Sequence, residues 1–398
     1  MVTSNPIPGQ TASTVSAHPG LFVKLPSMPT SQLEQVVTNL ASSYPAESLV
    51  IATPDAVPAG PHPPVGIETV PATNPSWTLT AADFVSAHQL AVKNEAKGVL
   101  ILGAEASSLD AHVLRDLANA VLGEGMDLAV PHYDLPPNAG MVNSAILYPL
   151  TRALFASRTR FPLAIDLGLS MRMAERLAAA AQRLVAANRS DAPIWPISEA
   201  MVAGFSVGEC AAGTRVLPHP AEPDLNTILP FVTGSLFGDI EAKAAFWQRA
   251  RQLPPFRQAN GAAHSSPADA AADVNQMLQG FRLAYTNLLD IWSLVLPPNS
   301  LIGLKRLYRT DAAAFRMPED LWSRIVYDFV LAYRLRSLNR SHLLGAMIPL
   351  YLAWVAGHVN AIASGVDPES HIEATAAAFE AEKPYAVSRW RWPDRFNP

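Results

Sequence analysis

Short apolar runs alternate with amphipathic, helix-length stretches through the first half of the chain, and this alternation constrains the fold more than any other feature. Leu21–Leu25 (LFVKL) reads as a strand stopped by Pro26. Ser31–Ser42 follows as a helix, with Leu33, Val36, Val37 and Leu40 recurring on one face. Leu49–Ala52 and Val65–Val70 read as the next strands, then Ala81–Ala96 as a helix that Thr80 can cap. Val99–Leu102 and Asp127–Val130 give two more strands, separated by a helix over Asp110–Leu122. Further helices are expected at Val142–Ala156 and Ser170–Asn188. Strands separated by helices in this way pack as a parallel sheet covered by helices.

The second half differs in kind. Leu253–Ala271 is rich in Pro, Gln, Gly and Ser and reads as a linker or surface loop. Beyond it the pattern is helical, at Asp273–Leu296, Trp322–Leu338, His342–Ala363 and Pro368–Lys383. The longest apolar run, Leu343–Gly357, falls short of the ~20 residues that span a bilayer and contains Pro349, so it is expected to be a buried core helix. The fold class is therefore α/β, with a sheet domain followed by a mostly helical C-terminal region. The expected division is a disordered tail over 1–19, the sheet domain over 20–252, the linker over 253–271 and the helical region over 272–398.

Composition narrows the partners. At 49% hydrophobic and 16% charged residues, the chain can bury a large core. A net charge of −5 argues against nucleic acid or an anionic membrane, both of which reward clustered Lys and Arg. The single cysteine, Cys210, excludes a disulfide framework within the chain and favours a reducing compartment. Cys210 is expected to be a small buried apolar residue. The N-terminal stretch has neither a basic n-region nor an apolar h-region, so a cytoplasmic protein is expected. The large apolar helical region leaves room for a homodimer.

In an open α/β sheet, ligands bind at the carboxyl ends of the strands. Ser27 and Met28 follow the first strand, Asp55 the second, Gly103-Ala104-Glu105 the fourth, and His132-Tyr133-Asp134 the fifth. Asp55 and Glu105 are thus carboxylates at neighbouring strand ends. Either can accept from a ribose hydroxyl or base amine, hold a divalent metal, or serve only as a turn former. His219, in RVLPHPAEPD, is a metal ligand or a surface loop residue. The common phosphate-binding glycine loops, zinc spacings and the G-x-S-x-G nucleophile elbow are absent.

Pro131–Ser170 (PHYDLPPNAGMVNSAILYPLTRALFASRTRFPLAIDLGLS) runs from a strand end through a polar loop and an apolar helix to a loop carrying Asp166. Its order of motifs resembles bacterial GT-A-fold glycosyltransferases of the retaining, mannosylglycerate synthase-like type. The matching pieces are Pro131-His132-Tyr133, Met141-Val142-Asn143-Ser144, Tyr148-Pro149-Leu150, Arg160-Phe161-Pro162 and Asp166-Leu167-Gly168-Leu169-Ser170. LFVKLPSMPTSQLEQVV, SLVIATPDA, VLPHP and three C-terminal helical segments extend the likeness over about residues 20–390. The resemblance implies a GT-A (Rossmann-like) nucleotide-sugar-binding domain and a hexosyltransferase activity. Asp55, Ser27 and Glu105 would bind the donor, Glu105 and His219 a divalent metal (Mg or Mn), and Tyr133, Asn143 and Arg160 the acceptor. Arg160 suits a carboxylate such as glycerate. Asp166 would be the catalytic residue, positioning a sugar hydroxyl or stabilising an oxocarbenium-like centre, unless it only caps the helix that follows.

The departures from the family are all on the donor side. The family's Asp-x-Asp, which holds the metal against the diphosphate, reads Gly103-Ala104-Glu105, a degenerate DXD. A Gly-Lys-Gly reads Ser76-Trp77-Thr78, which removes a lysine, and a D-I-W segment reads Pro193-Ile194-Trp195. No lysine or arginine near Gly103 suggests itself as a replacement for the cation. Two functions follow. One is transfer of a sugar from a nucleotide donor to a small hydroxyl acceptor. The other is a non-catalytic GT-A-like binding or regulatory protein that has lost its metal-binding motif.

Overall fold

The computed structural model describes residues 20–57, 60, 64–74, 77–218, 224–249, 256–257 and 273–393. The expected N-terminal tail, most of the expected linker, Ser76 and His219 lie outside the described residues.

Eight strands form one sheet. They are β1 (Leu21–Lys24), β2 (Leu49–Thr53), β3 (Gly66–Thr69), β4 (Gly98–Ile101), β5 (Leu128–Asp134), β6 (Leu167–Ser170), β7 (Val207–Thr214) and β8 (Phe256–Arg257). Their order is β3-β2-β1-β4-β6-β5-β7-β8. All pairings are parallel except those of β6, which runs antiparallel between β4 and β5. The sheet is therefore mixed, where the sequence pattern implied a parallel one. Four-residue β6 (LGLS) abuts the next helix directly, too short for its alternation to stand out.

Helices α1 (Thr30–Ser43), α2 (Ala81–Lys93), α3 (Ala111–Leu122), α4 (Tyr148–Phe155), α5 (Met171–Ala186), α6 (Pro196–Ala203), α7 (Leu225–Ala242) and the single turn α8 (Ala244–Trp247) accompany the sheet. A π-helical turn over Asn143–Leu147 leads into α4. The apolar stripe of α1 buries Leu33, Val36, Val37 and Leu40, as its periodicity requires. Lys24, the one charge in the first strand, is buried and reaches Asp83 of α2 at 2.6 Å. Asp83 also accepts from the Thr80 amide and from the hydroxyls of Thr73 and Thr80. Burial pushes the Asp83 carboxyl up, but Lys24 and these donors outweigh it and hold it below the usual range.

The C-terminal region comprises α9 (Val274–Ser293), α10 (Pro298–Tyr308), α11 (Glu319–Leu335), α12 (Arg340–Ala363) and α13 (Pro368–Arg391). Among the described residues, α12 is the one helix long and apolar enough to cross a membrane, and 67% of its apolar window is buried within the protein. Helix α13 lies along α4. Its Glu369 takes both Nε and Nη2 of Arg160, Glu373 takes Tyr148 and Arg152, and Glu380 takes the other end of Arg152. One continuous apolar core runs through the sheet and these helices.

Candidate functional site

The carboxyl ends of β1, β2, β4, β5 and β7 and the residue before β6 meet at one edge of the sheet. At the first two ends, Asp55 is half-buried. Its carboxylate accepts from the Ser27 hydroxyl at 3.1 Å and the Met28 amide at 2.8 Å. At the end of β4, Gly103 is packed against Ile165, whose Cβ would lie 2.9 Å from any Cβ added there. Glu105 has φ 60°, an uncommon conformation for a residue with a side chain, and its carboxylate accepts from Gln32 of α1 at 3.1 Å. Asp55 and Glu105 thus each bind their own neighbours. Among the described residues no three His, Cys, Asp or Glu side chains gather as a metal site.

The centre of this edge is held by a residue that sequence reasoning missed. Arg215, just past β7, is fully buried and forms an ion pair with Asp166 at 3.0 Å. Its Nη1 donates to the Glu105 carbonyl at 2.6 Å, the Ser108 hydroxyl at 3.1 Å and the Val216 carbonyl at 2.6 Å. Its Nη2 donates to the Ala104 carbonyl at 2.8 Å and to Asp166 at 3.3 Å. Every guanidinium nitrogen is engaged, which uses the donor capacity of the group. Burial opposes its charge, but Asp166 more than compensates and raises its pKa. Its only sequence signal is an arginine directly after a strand, and β7 itself was not evident from the sequence.

Asp166 is correspondingly closed off. It is 0% exposed and accepts from Arg215, from the Gly103 amide at 3.0 Å and from the Tyr133 hydroxyl at 2.8 Å. Burial, followed by the Asp166 charge, holds the Tyr133 hydroxyl protonated, well above the usual tyrosine range. Two sequence expectations are corrected here. Asp166, the expected catalytic residue, is sealed in this way and presents no open face to a substrate. Nor does it cap α5, because Ser170 does so, accepting from the Met173 amide.

The expected acceptor residues do come together. Tyr133, Asn143 and Arg160 lie around two adjoining cavities, of about 590 and 290 Å³. Tyr133, Ala139, Met141 and Phe161 form part of the wall of both. In the smaller, Arg160 is clasped by Glu369, so the expected carboxylate partner is supplied by the chain itself. Asn143 faces the larger cavity, and its amide donates to the Arg160 carbonyl at 3.0 Å. None of the described residues lining the larger cavity is charged. His132, behind this wall, is held by Glu209 at 3.3 Å, and that contact raises its pKa. Cys210, in β7, is half-buried against the core, not fully enclosed.

No protein-family profile and no curated protein matches the chain. Among solved structures it is similar to glucosyl-3-phosphoglycerate synthase from Mycobacterium tuberculosis. Against its complex with Mn²⁺, UDP and glucosyl-3-phosphoglycerate the identity is 12%, covering 60% of this chain and 85% of that one, with a TM-score of 0.36. Against its complex with Mn²⁺, UDP-glucose and glycerol 3-phosphate the identity is 13%, covering 60% and 86%, with a TM-score of 0.35.

Proposed function

We propose that this chain is a GT-A-like binding or regulatory protein that no longer performs metal-assisted sugar transfer. The observation that carries this reading is Arg215. In metal-assisted transfer, a divalent cation neutralises the departing diphosphate, and that is worth several kcal/mol in the transition state. Here a permanent guanidinium covers the carbonyls of Ala104 and Glu105, at the tripeptide where the resemblance would place the metal. A second cation beside it is disfavoured by like charge. Arg215 cannot replace the metal either, because its N–H groups are committed to the protein. The described residues therefore do not fit a divalent ion, and no step is routed through one. The larger cavity adds to this, since no charged side chain among its described lining residues could meet a diphosphate.

The test is calorimetry with UDP-, GDP- and ADP-glucose, with and without Mn²⁺. No binding is expected in either condition. Metal-dependent donor binding that is abolished by Glu105→Ala would overturn the reading.

One observation favours the transferase. Asp55 remains at the end of β2, half-exposed and oriented by Ser27 and the Met28 amide, where a nucleoside hydroxyl could reach it. In that reading Asp55, Ser27 and Glu105 face the donor, and Tyr133, Asn143 and Arg160 a glycerate-like acceptor. Asp166 then acts through Arg215 and Tyr133. Formation of a glycoside from a nucleotide sugar and glycerate, lost in Asp55→Ala, is the outcome it requires. The single cysteine supports a cytoplasmic setting for either function.

A further inference from the structure

We propose that Glu369 is an autoinhibitory side chain, which in the free protein occupies a site on Arg160 for a small monocarboxylate with an apolar body. The inference goes beyond the reading above, because it concerns the smaller cavity and involves neither a nucleotide nor a metal. Three observations carry it.

The arginine is held in place without Glu369. Its side chain is 7% exposed, and its guanidinium carbon lies 5.3 Å from the centre of the Tyr148 ring and 5.0 Å from that of Phe161. Its Nη2 donates to Ser144 Oγ at 2.9 Å and its amide to Glu209 at 2.9 Å, while its carbonyl accepts from Asn143 at 3.0 Å. The carboxylate is held far less. Glu369 is 59% exposed, and among the described residues its carboxylate hydrogen-bonds Arg160 alone, taking Nε at 3.0 Å and Nη2 at 3.1 Å. This two-point contact is the one a free carboxylate makes with an arginine. Only the Glu369 side chain has to turn to vacate it. The first turn of α13 stays anchored, since Asp367 accepts from the Ser370 amide at 2.8 Å, His371 meets His358 at 2.9 Å and Ile372 is buried. A guanidinium left this deep without a counter-charge is heavily penalised, which favours another anion in place of the one that leaves. The cavity beside it, of about 290 Å³, sets the rest of the ligand. Leu135, Pro136, Pro137, Phe161 and Ile372 make most of its wall apolar. Arg160 is the one cation in that wall and the exposed Asp367 repels further negative charge, so a single acid group is matched and a second is not.

Calorimetry on the full-length protein tests the proposal with benzoate, its uncharged isostere benzamide, and glycerate. A tethered carboxylate competes as if present at about millimolar concentration, so its removal should be felt directly. Glu369→Ala is expected to bind benzoate at one per chain, at least about 10-fold more tightly than wild type. Glu369→Gln, which keeps the length and loses the charge, repeats the gain if the alanine variant does not fold. In either variant benzamide and glycerate should bind at least about 10-fold more weakly than benzoate. Arg160→Met/Glu369→Ala, which removes both charges together, should abolish binding. The proposal is overturned by an absence of saturable benzoate binding in a folded Glu369 variant, or by wild type binding as tightly as that variant. Benzamide or glycerate matching benzoate overturns it too, as does binding kept in the folded double variant. No nucleotide sugar or metal enters these titrations, so their failure leaves the reading of the function standing.

Discussion

At the scale of single residues, the decisive pair is Arg215 and Asp166. Each is buried, and each is the other's counter-charge, so removing one strands the other. Arg215→Met should destabilise the protein by about 3–5 kcal/mol, the usual cost of an orphaned buried charge. The double variant Arg215→Met/Asp166→Asn should cost much less than the two single variants summed, since the amide oxygen still accepts from the Gly103 amide and its NH2 can donate to the Tyr133 hydroxyl oxygen. Additive urea-melt values would contradict the coupling. His358 makes a pH prediction. Burial, then the like charge of His371 at 2.9 Å, lowers its pKa from 6.5 to about 4. The unfolded chain gains this proton as pH falls through 6.5, and the folded chain gains it only near 4. The contribution is complete above pH 6.5 and is lost across that window, by up to about 3 kcal/mol. Comparing wild type with His358→Gln at pH 7.5 and 4.5 isolates it, and a pH-independent difference would refute it. Little of this was legible in sequence. Asp55 and Glu105 were found because strand ends are predictable. Arg215 was not, because its side-chain partner Asp166 lies 49 residues away along the chain and the carbonyls of Ala104 and Glu105 lie 111 and 110 away.

At the scale of elements, legibility followed pattern length. The α1 stripe could be read residue by residue because four apolar positions repeat over a long helix. Strand β6 offered no such run, and what fixes its place is a close approach. A Cβ at Gly168 would lie 2.7 Å from the Leu117 carbonyl oxygen of α3 and 3.1 Å from Ala129 Cβ. Only glycine lets the strand slide between β4 and β5 beneath that helix. Gly168→Ala should therefore cost about 1–3 kcal/mol of stability through overpacking. Gly238→Ala, on α7, where the added carbon would meet no atom of the other described elements within 4 Å, should be stable or slightly stabilised. Equal thermal shifts for the two variants would disprove the account. The same reasoning revises Pro131–Ser170. Much of what looked like acceptor chemistry is an internal seam, in which α13 carboxylates hold Arg152 and Arg160.

At the scale of the molecule, the sequence suggested a boundary at 253–271, but the packing does not respect it. The Trp322 indole, in the helical region, donates to the Ala145 carbonyl at 2.8 Å beneath the sheet domain. The core is continuous from β1 to α13. We expect one calorimetric unfolding transition for the whole chain, and no near-UV dichroism from residues 20–252 expressed alone. Two separable transitions would restore the boundary. The larger cavity shares this construction. Its wall takes Trp77 from before α2, Phe161 from before β6, Ile228 from α7, Met277 from α9 and Val355 from α12. Whatever fills it touches nearly every part of the fold at once and is lost when any of them opens. Occupancy is then readable as heat resistance. At a concentration 100 times its Kd, a ligand adds about 2.7 kcal/mol to the whole chain. A melting curve can therefore test whether a compound fills it before any reaction is known.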